Sequence, residues 1–338
     1  MADRSLVMVI GPGRSGTSTM AGALASSGYH VPNAIKPNDR NPRGFFEPRW
    51  VVNFHRRLLR ETGVGTLDSD PHALPIVERR ISRPDVHAEL REWLSEQFGK
   101  RDRLVIKDPR MVWFRDLWVS VASELGADPR FVIMLRHPSE VSASRSTYYQ
   151  ARDVGAVAGW INVALTSEHL TAASPRSLVP YGDLLTDWRG QFSRIQQQLD
   201  IPLDPGPEVH PHPVDDFIDP TLRRMSTGWE TVAVPRHLSD LADRVYDVLH
   251  EIAVDGDSPE RADLVEQLRQ EYSDTFEAAK VLVRRDRKRA EDRIRRRTRN
   301  RVRKQMARRQ QARQAPTGLL PRSRDLARRL RNRAKGRR

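Results

Sequence analysis

The stretch LVMVIGPGRSGTS, residues 6–18, sets five consecutive apolar residues against a glycine-rich turn. Leu6, Val7, Met8, Val9 and Ile10 show no polar alternation, which predicts a parallel strand covered on both faces. The small residues of Gly11–Ser18 and the Ala-rich run after them predict a loop that feeds directly into a helix. Such a junction gathers unpaired backbone N–H groups and the positive end of the helix dipole at one point, where an anion binds readily. The alternative is a tight strand-to-helix connection with no ligand.

The loop comes close to the phosphate-binding pattern GxxxxGK[ST]. Gly11 and Gly16 are in place, but Thr17 stands where lysine belongs, and the cation is instead Arg14, inside the loop. A Lys-Ser/Thr pair with a magnesium-binding Asp downstream is how triphosphate enzymes grip the β,γ-phosphates. The departure therefore points to another nucleotide.

With 338 residues and 38% hydrophobic content, the chain can bury one large α/β core. It has no cysteine, so disulfides, zinc thiolates and thiol catalysis are excluded. No run approaches the roughly 20 apolar residues of a membrane span, and the N-terminal apolar run is too short for a secretory signal. The expectation is a cytoplasmic protein, peripheral at the membrane if its tail binds lipid. The net charge of +14 is unevenly divided. From Arg284 to Arg338 there are 25 Lys/Arg against four acids, a net of +21, so the other 283 residues carry 33 basic against 40 acidic side chains, a net of −7. Two parts are expected: a globular domain over 1–283 and an Arg-rich tail over 284–338, helical or disordered. The tail lacks interleaved aromatics, which favours an anionic membrane surface or polyanion over specific nucleic acid.

Along the chain, residues 29–48, YHVPNAIKPNDRNPRGFFEP, hold too many prolines for a regular element, and Phe45 and Phe46 predict an ordered loop folded over something. Helices are expected over 50–61, 86–98, 111–125, 139–149, 155–173, 183–199, 237–253 and 259–283, and loops over 63–75 and 214–229, the latter with a helical turn at 221–224. Strands are expected at 103–107, 131–135 and 177–180, the first two followed by a polar tip and a helix. In open α/β sheets such tips gather at one edge, so Gly11–Ser18, Lys107–Arg110 and Arg136–Pro138 should face one crevice.

Five segments in this order, GPGRSGTS, NPRGFFEP, IKDPR, LRHPSEVSASR (135–145) and VPYGDLLTDW (179–188), together resemble the P-loop sulfotransferases, in their bacterial branch. The resemblance spans roughly residues 5–230. It implies an α/β fold of the P-loop type, a central parallel sheet flanked by helices, with a helical C-terminal portion. It also implies transfer of a sulfuryl group from 3′-phosphoadenosine 5′-phosphosulfate (PAPS) to an acceptor hydroxyl. On the family pattern the 5′-phosphosulfate falls to Arg14, Ser15, Gly16, Thr17 and Ser18, the 3′-phosphate to Arg136 and Ser144, and the adenine side to Tyr181. Arg223 and Arg224 lie where the family brings a late basic segment over the 3′-phosphate. Arg14 and Lys107 are the candidates to stabilise the leaving phosphate without a metal, and no metal is expected.

A base must take the acceptor proton. Many cytosolic members use a histidine just after the strand that here ends in Lys107, but this chain reads Lys107, Asp108, Pro109, Arg110. Branches that act on carbohydrates place a glutamate after the first helix, and Glu47 fits that position; Asp108 is the reserve. The acceptor is then a small molecule, a carbohydrate or a lipid. His137 is expected to shape a strand tip, His210 and His212 to lack a third metal ligand, and Trp93, Trp113 and Trp118 to lie in the core. Two rivals remain open: a P-loop nucleoside or small-molecule kinase, which Asp108 would serve as magnesium ligand, and a non-enzymatic protein that binds anionic surfaces through its tail.

Overall fold

The computed structural model describes residues 4–38, 41, 43–149, 153–203, 210–218, 228–281 and 298. The chain falls into two units, Met1–Phe276 and Glu277–Arg338. Most of the second unit, and with it most of the basic tail, lies outside the described residues, as do Arg223, Arg224 and the helical turn expected around them.

Four strands form one sheet in the order β2-β1-β3-β4, every neighbouring pair parallel. These are β1 (Ser5–Ile10), β2 (Arg103–Lys107), β3 (Asp128–Leu135) and β4 (Arg176–Pro180). The apolar runs are continuous because both faces are covered. Leu6, Met8, Ile10, Leu104, Ile106, Phe131 and Ile133 join one buried cluster, while Val7, Val9, Val105, Val132 and Met134 join another on the opposite face. The first face is covered by α2 (Arg49–Thr62), α4 (Pro84–Phe98), α5 (Arg115–Glu124), α7 (Asp153–Thr171) and α11 (Arg236–Asp255). The second is covered by α1 (Thr17–Ser26), α8 (Tyr181–Thr186), α9 (Trp188–Leu199) and α10 (Pro213–Phe217).

From β1 the chain crosses to β2 on one side, then returns past β1 to β3 on the other. The reversal lies between β1 and β3, and the loops that leave these strands open at their carboxyl ends, where α/β sheets bind ligands. The order thus brings Gly11–Gly16 beside Arg136.

Four expectations about elements are corrected. Residues 63–75 are not all loop, because α3 (Ala73–Ile81) begins inside them; Pro75 sits in its first turn, where a proline removes no intrahelical hydrogen bond. The helix expected over 183–199 is two helices, α8 and α9, broken at Asp187, whose side chain accepts from Gly190 N at 2.8 Å and caps the second. Similarly, 111–125 opens with a short 3₁₀ turn, Met111–Phe114, before α5, and 214–229 contains α10. The tryptophans read as core are buried, Trp118 completely.

A helix that begins at 259 closes the first unit. Its Tyr272 hydroxyl lies 2.6 Å from Ser69 O and 2.9 Å from Ala158 O, and so ties α7 to the loop before α3. Burial pushes that phenol far above its ordinary range, with Asp68 and Asp70 acting in the same direction. Asn162 of α7 donates to the carbonyls of Asp68 and Asp70, at 2.9 and 3.0 Å, and holds the same loop. Tyr272→Phe strips the one donor shared by two half-buried carbonyls and is expected to destabilise the fold by about 1 kcal/mol. The urea midpoint reads this directly; an unchanged midpoint would mean that Asn162 alone anchors the loop.

Candidate functional site

The site begins with the backbone of the loop. Gly11 has φ 127° and Gly16 φ 90°. A Cβ on Gly11 would stand 2.6 Å from the carbonyl oxygen of Met134, and one on Gly16 would run into the ring of Tyr181. Only glycine lets the loop press this closely on β3 and on Tyr181. Between them Arg14 also adopts a left-handed conformation, φ 80°, unfavourable for a side-chain-bearing residue and of the kind that collects at binding sites. Ser15 N donates to Pro12 O at 3.1 Å and closes the turn.

The N-terminus of α1 then has no side-chain cap and no acid in its first turn. Its first N–H groups follow directly on the loop with their dipole uncompensated. Ser15 is wholly buried, and its Oγ has no hydrogen-bond partner. A buried, unpaired hydroxyl in a loop of this shape is the mark of a site made for an oxyanion. The residues present therefore fit a phosphate or phosphosulfate group.

Two strand tips converge on this loop. From the end of β2, Lys107 reaches Ser18 Oγ at 3.1 Å, the carbonyl of Phe45 at 3.4 Å and Glu47 Oε1 at 2.6 Å. The pair is largely withdrawn from water, the lysine side chain 4% exposed and the glutamate 12%. Glu47 arrives from the proline-rich segment 29–48, of which all but residues 39, 40 and 42 are described. Phe46 packs edge-on against Phe217 with ring centroids 5.4 Å apart, and Arg43 donates to the carbonyls of Asp216 and Phe217.

From the end of β3, Arg136 donates to Glu140 Oε2 at 2.8 Å and to the carbonyl of Arg14 at 3.2 Å, and its guanidinium lies 4.7 Å above the Tyr181 ring. Arg14 Nε in turn donates to Ser144 Oγ at 3.0 Å, within α6 (Pro138–Tyr149). Loop, β3 tip and α6 are thus linked by hydrogen bonds, and Tyr181 joins them through its ring face. Burial pushes the Tyr181 phenol above its ordinary value despite the nearby Arg136, so the ring is neutral at physiological pH. Arg14, Ser15, Gly16, Thr17, Ser18, Glu47, Lys107, Arg136, Ser144 and Tyr181, singled out from the sequence, lie at this edge of the sheet or in the segments packed against it. Glu140 was not singled out; its signal was the four-residue spacing from Arg136.

Asp108 has a different position from the reserve base expected of it. It is fully buried, and Arg110 grips both its oxygens, at 2.9 and 2.8 Å. Burial opposes its charge, but His55 and Arg110 outweigh that and hold the carboxyl below the usual carboxylate range. No face of it is left for an acceptor hydroxyl. His137 does serve the strand tip: Nδ1 accepts from Ser139 N at 3.3 Å, and Nε2 lies 3.2 Å from Asp243 of α11. His212 caps α10. Among the described residues no three potential ligands gather as a metal site, and no helix is long and apolar enough to cross a membrane.

Neither the known family models nor the curated proteins contain a match to this chain. Among solved structures it is similar to the sulfotransferase domain of the Synechococcus PCC 7002 olefin synthase, at 15% identity and TM-score 0.42, over 73% of this chain and 95% of that one. The sulfotransferase domain from the curacin biosynthetic pathway gives 13% and 0.42, over 73% and 98% of the two chains. The sulfotransferase STF1 from Mycobacterium tuberculosis H37Rv gives 14% and 0.41, over 72% and 77%. These scores are too low for a shared fold to follow, and the α/β architecture stands on the sheet itself.

Behind the site, His55 stacks on Phe114 at 4.2 Å and its Nε2 accepts from Trp118 Nε1 at 2.9 Å, which leaves the ring proton on Nδ1, 3.8 Å from Asp108. Burial holds the imidazole below its ordinary 6.5, against the pull of Asp108. The unfolded chain takes up that proton near 6.5 and the folded chain resists it, so this contribution to stability is full above about pH 6.5 and declines as pH falls. Urea unfolding at pH values from about 7.5 down to 5.5 is expected to show that decline, with a shallower slope in His55→Phe. Equal slopes would place the titration elsewhere.

Proposed function

We propose that this chain is a sulfotransferase that moves a sulfuryl group from PAPS to an acceptor hydroxyl. The observation that carries the reading is the position of Lys107, whose ammonium touches Ser18 of the anion loop on one side and Glu47 on the other. A carboxylate able to accept a proton is thereby held one side chain away from the cradle of an oxyanion.

The donor supplies the activated sulfuryl group, and its displacement leaves a phosphate on the loop. The N–H groups at the start of α1, the Ser15, Thr17 and Ser18 hydroxyls and Arg14 hold the 5′ end. Lys107 and Arg14 offset the charge that develops on the departing phosphate oxygen. Arg136 and Ser144 receive the 3′-phosphate, and Tyr181 flanks the nucleoside. Glu47 takes the proton of the attacking hydroxyl as the new S–O bond forms and the bond from sulfur to the phosphate oxygen breaks. The acceptor is a small molecule, a carbohydrate or a lipid, and the basic tail meets an anionic surface or polyanion.

Two features favour this over phosphoryl transfer. Thr17 replaces the lysine that grips a β,γ-phosphate, and Asp108, where a magnesium ligand would be sought, is engaged on both oxygens by Arg110. Adenosine 3′,5′-bisphosphate is expected to raise the melting temperature in EDTA, and Arg136→Ala to abolish the shift. Protection by Mg-ATP and not by the bisphosphate would instead establish a kinase. Glu47→Gln is expected to keep the bisphosphate shift while kcat falls roughly 10²–10⁴-fold; undiminished kcat would remove Glu47 as base.

A further inference from the structure

Helix α2 begins two residues after Glu47 and carries an exposed face of Arg49, Asn53, Arg56 and Arg60, with Arg57 half exposed beside it. A cleft of about 420 Å³ runs along this face, lined by Arg56, Arg57, Arg60, Asn53 and Trp50, with Glu89 of α4 as its one carboxylate. Trp50 gives it a rigid backing, stacked on Phe54 at 15° and on Trp93 at 6°, with both centroid distances 4.7 Å. Glu89 is already paired with Arg57 at 2.5 Å. Among the described residues Arg49, Arg56 and Arg60 have no ion-pair partner.

Only Arg60, in the last turn, suits the helix dipole; the rest of this concentration does not serve the helix. Arg49 stands in the first turn, where the dipole disfavours a cation, and no acid in that turn offsets it. Arg56 and Arg60 are four residues apart and Arg57 and Arg60 three, spacings at which like charges repel. Nor does composition account for it, since the first 283 residues are net acidic. Arginines held against local stability, around a concavity with an aromatic backing, are suited to bidentate recognition of oxyanions.

We infer that this cleft seats an anionic group of the acceptor, a sulfate, phosphate or carboxylate. By the helical rise of 1.5 Å per residue, that group lies on the order of 10–15 Å from the hydroxyl that reacts at Glu47. The acceptor is thus an extended, already anionic molecule. That the bound anion belongs to an acceptor rests on the transferase reading above.

The test is residue-resolved arginine modification on the full chain, so that α2 is read separately from the Arg-rich tail. Phenylglyoxal labelling of Arg56, Arg57 and Arg60 is followed by mass spectrometry with and without a heparin-derived hexasaccharide. Exposed Arg103 and Arg236 serve as references. At a probe concentration about four times its Kd, labelling of the three is expected to slow about fivefold. In R56A/R60A the protection of Arg57 should disappear while the shift by adenosine 3′,5′-bisphosphate persists. Protection by phosphatidylserine vesicles and not by the hexasaccharide would assign the same oxyanion seat to a lipid headgroup. Labelling unchanged by either probe, slowed no more than at the references, or slowed equally by neutral maltohexaose overturns the inference. Protection without a bisphosphate shift would remove the transferase reading and leave an anion site; the reverse pattern would remove the anion site alone.

Discussion

The carbonyl oxygen of Met134 occupies the space that a side chain on residue 11 would need. That contact lets the chain leaving β1 press onto β3, and the rest of the site follows from it. The loop must turn through left-handed conformations at Gly11, Arg14 and Gly16, which throws its N–H groups inward and starts α1 with no cap. It also brings the carbonyl of Arg14 within reach of Arg136 at the neighbouring strand end. The reversal of strand order between β1 and β3 supplies the gap into which all of this opens.

Electrostatics in the site are arranged in pairs, each with a cation at a strand end and a carboxylate from a neighbouring segment. Lys107 and Glu47 form a nearly dry ion pair, and Arg136 and Glu140 another. A buried pair of this kind contributes little net stability, because desolvation offsets most of the attraction, yet removing one partner is costly. Its value here is positional: each cation is fixed at the mouth of the anion loop before any ligand arrives, so little reorganisation remains for the bound state.

The sheet was legible in the sequence because its strands are short apolar runs buried on both faces and punctuated by Gly11, Asp108 and Arg136. The loop was legible because glycine at 11 and 16 has a steric reason that spacing alone conveys. Less visible was α3, whose Pro75 reads as a breaker and is in fact a first-turn residue, and so was the break at Asp187, where one carboxylate ends one helix and caps the next. The contact between Glu47 and Lys107 could be guessed only through resemblance. The two are 60 positions apart, and what joins them is the seating of residues 43–47, held by Phe46 on Phe217 and Arg43 on α10, which no periodicity encodes. For Asp108 the sequence pointed to solvent-facing chemistry because it follows a strand; His55 and Arg110, neither predictable as its neighbour, turned it into a buried strut.

Arg136 holds Arg14 through its main-chain carbonyl, while Ser144 is reached by its side chain. Location and chemistry at position 14 are therefore carried by different atoms. The carbonyl anchor is available to any residue, so the loop keeps its place whatever stands there, and glycine would adopt the φ of 80° more easily. An arginine kept in a conformation that glycine suits better, at a cost on the order of 1 kcal/mol, marks a position where the charge is retained in opposition to the fold's own preference. Related loops could exchange that cation for another side chain, and so change what they hold, without rebuilding the sheet beneath.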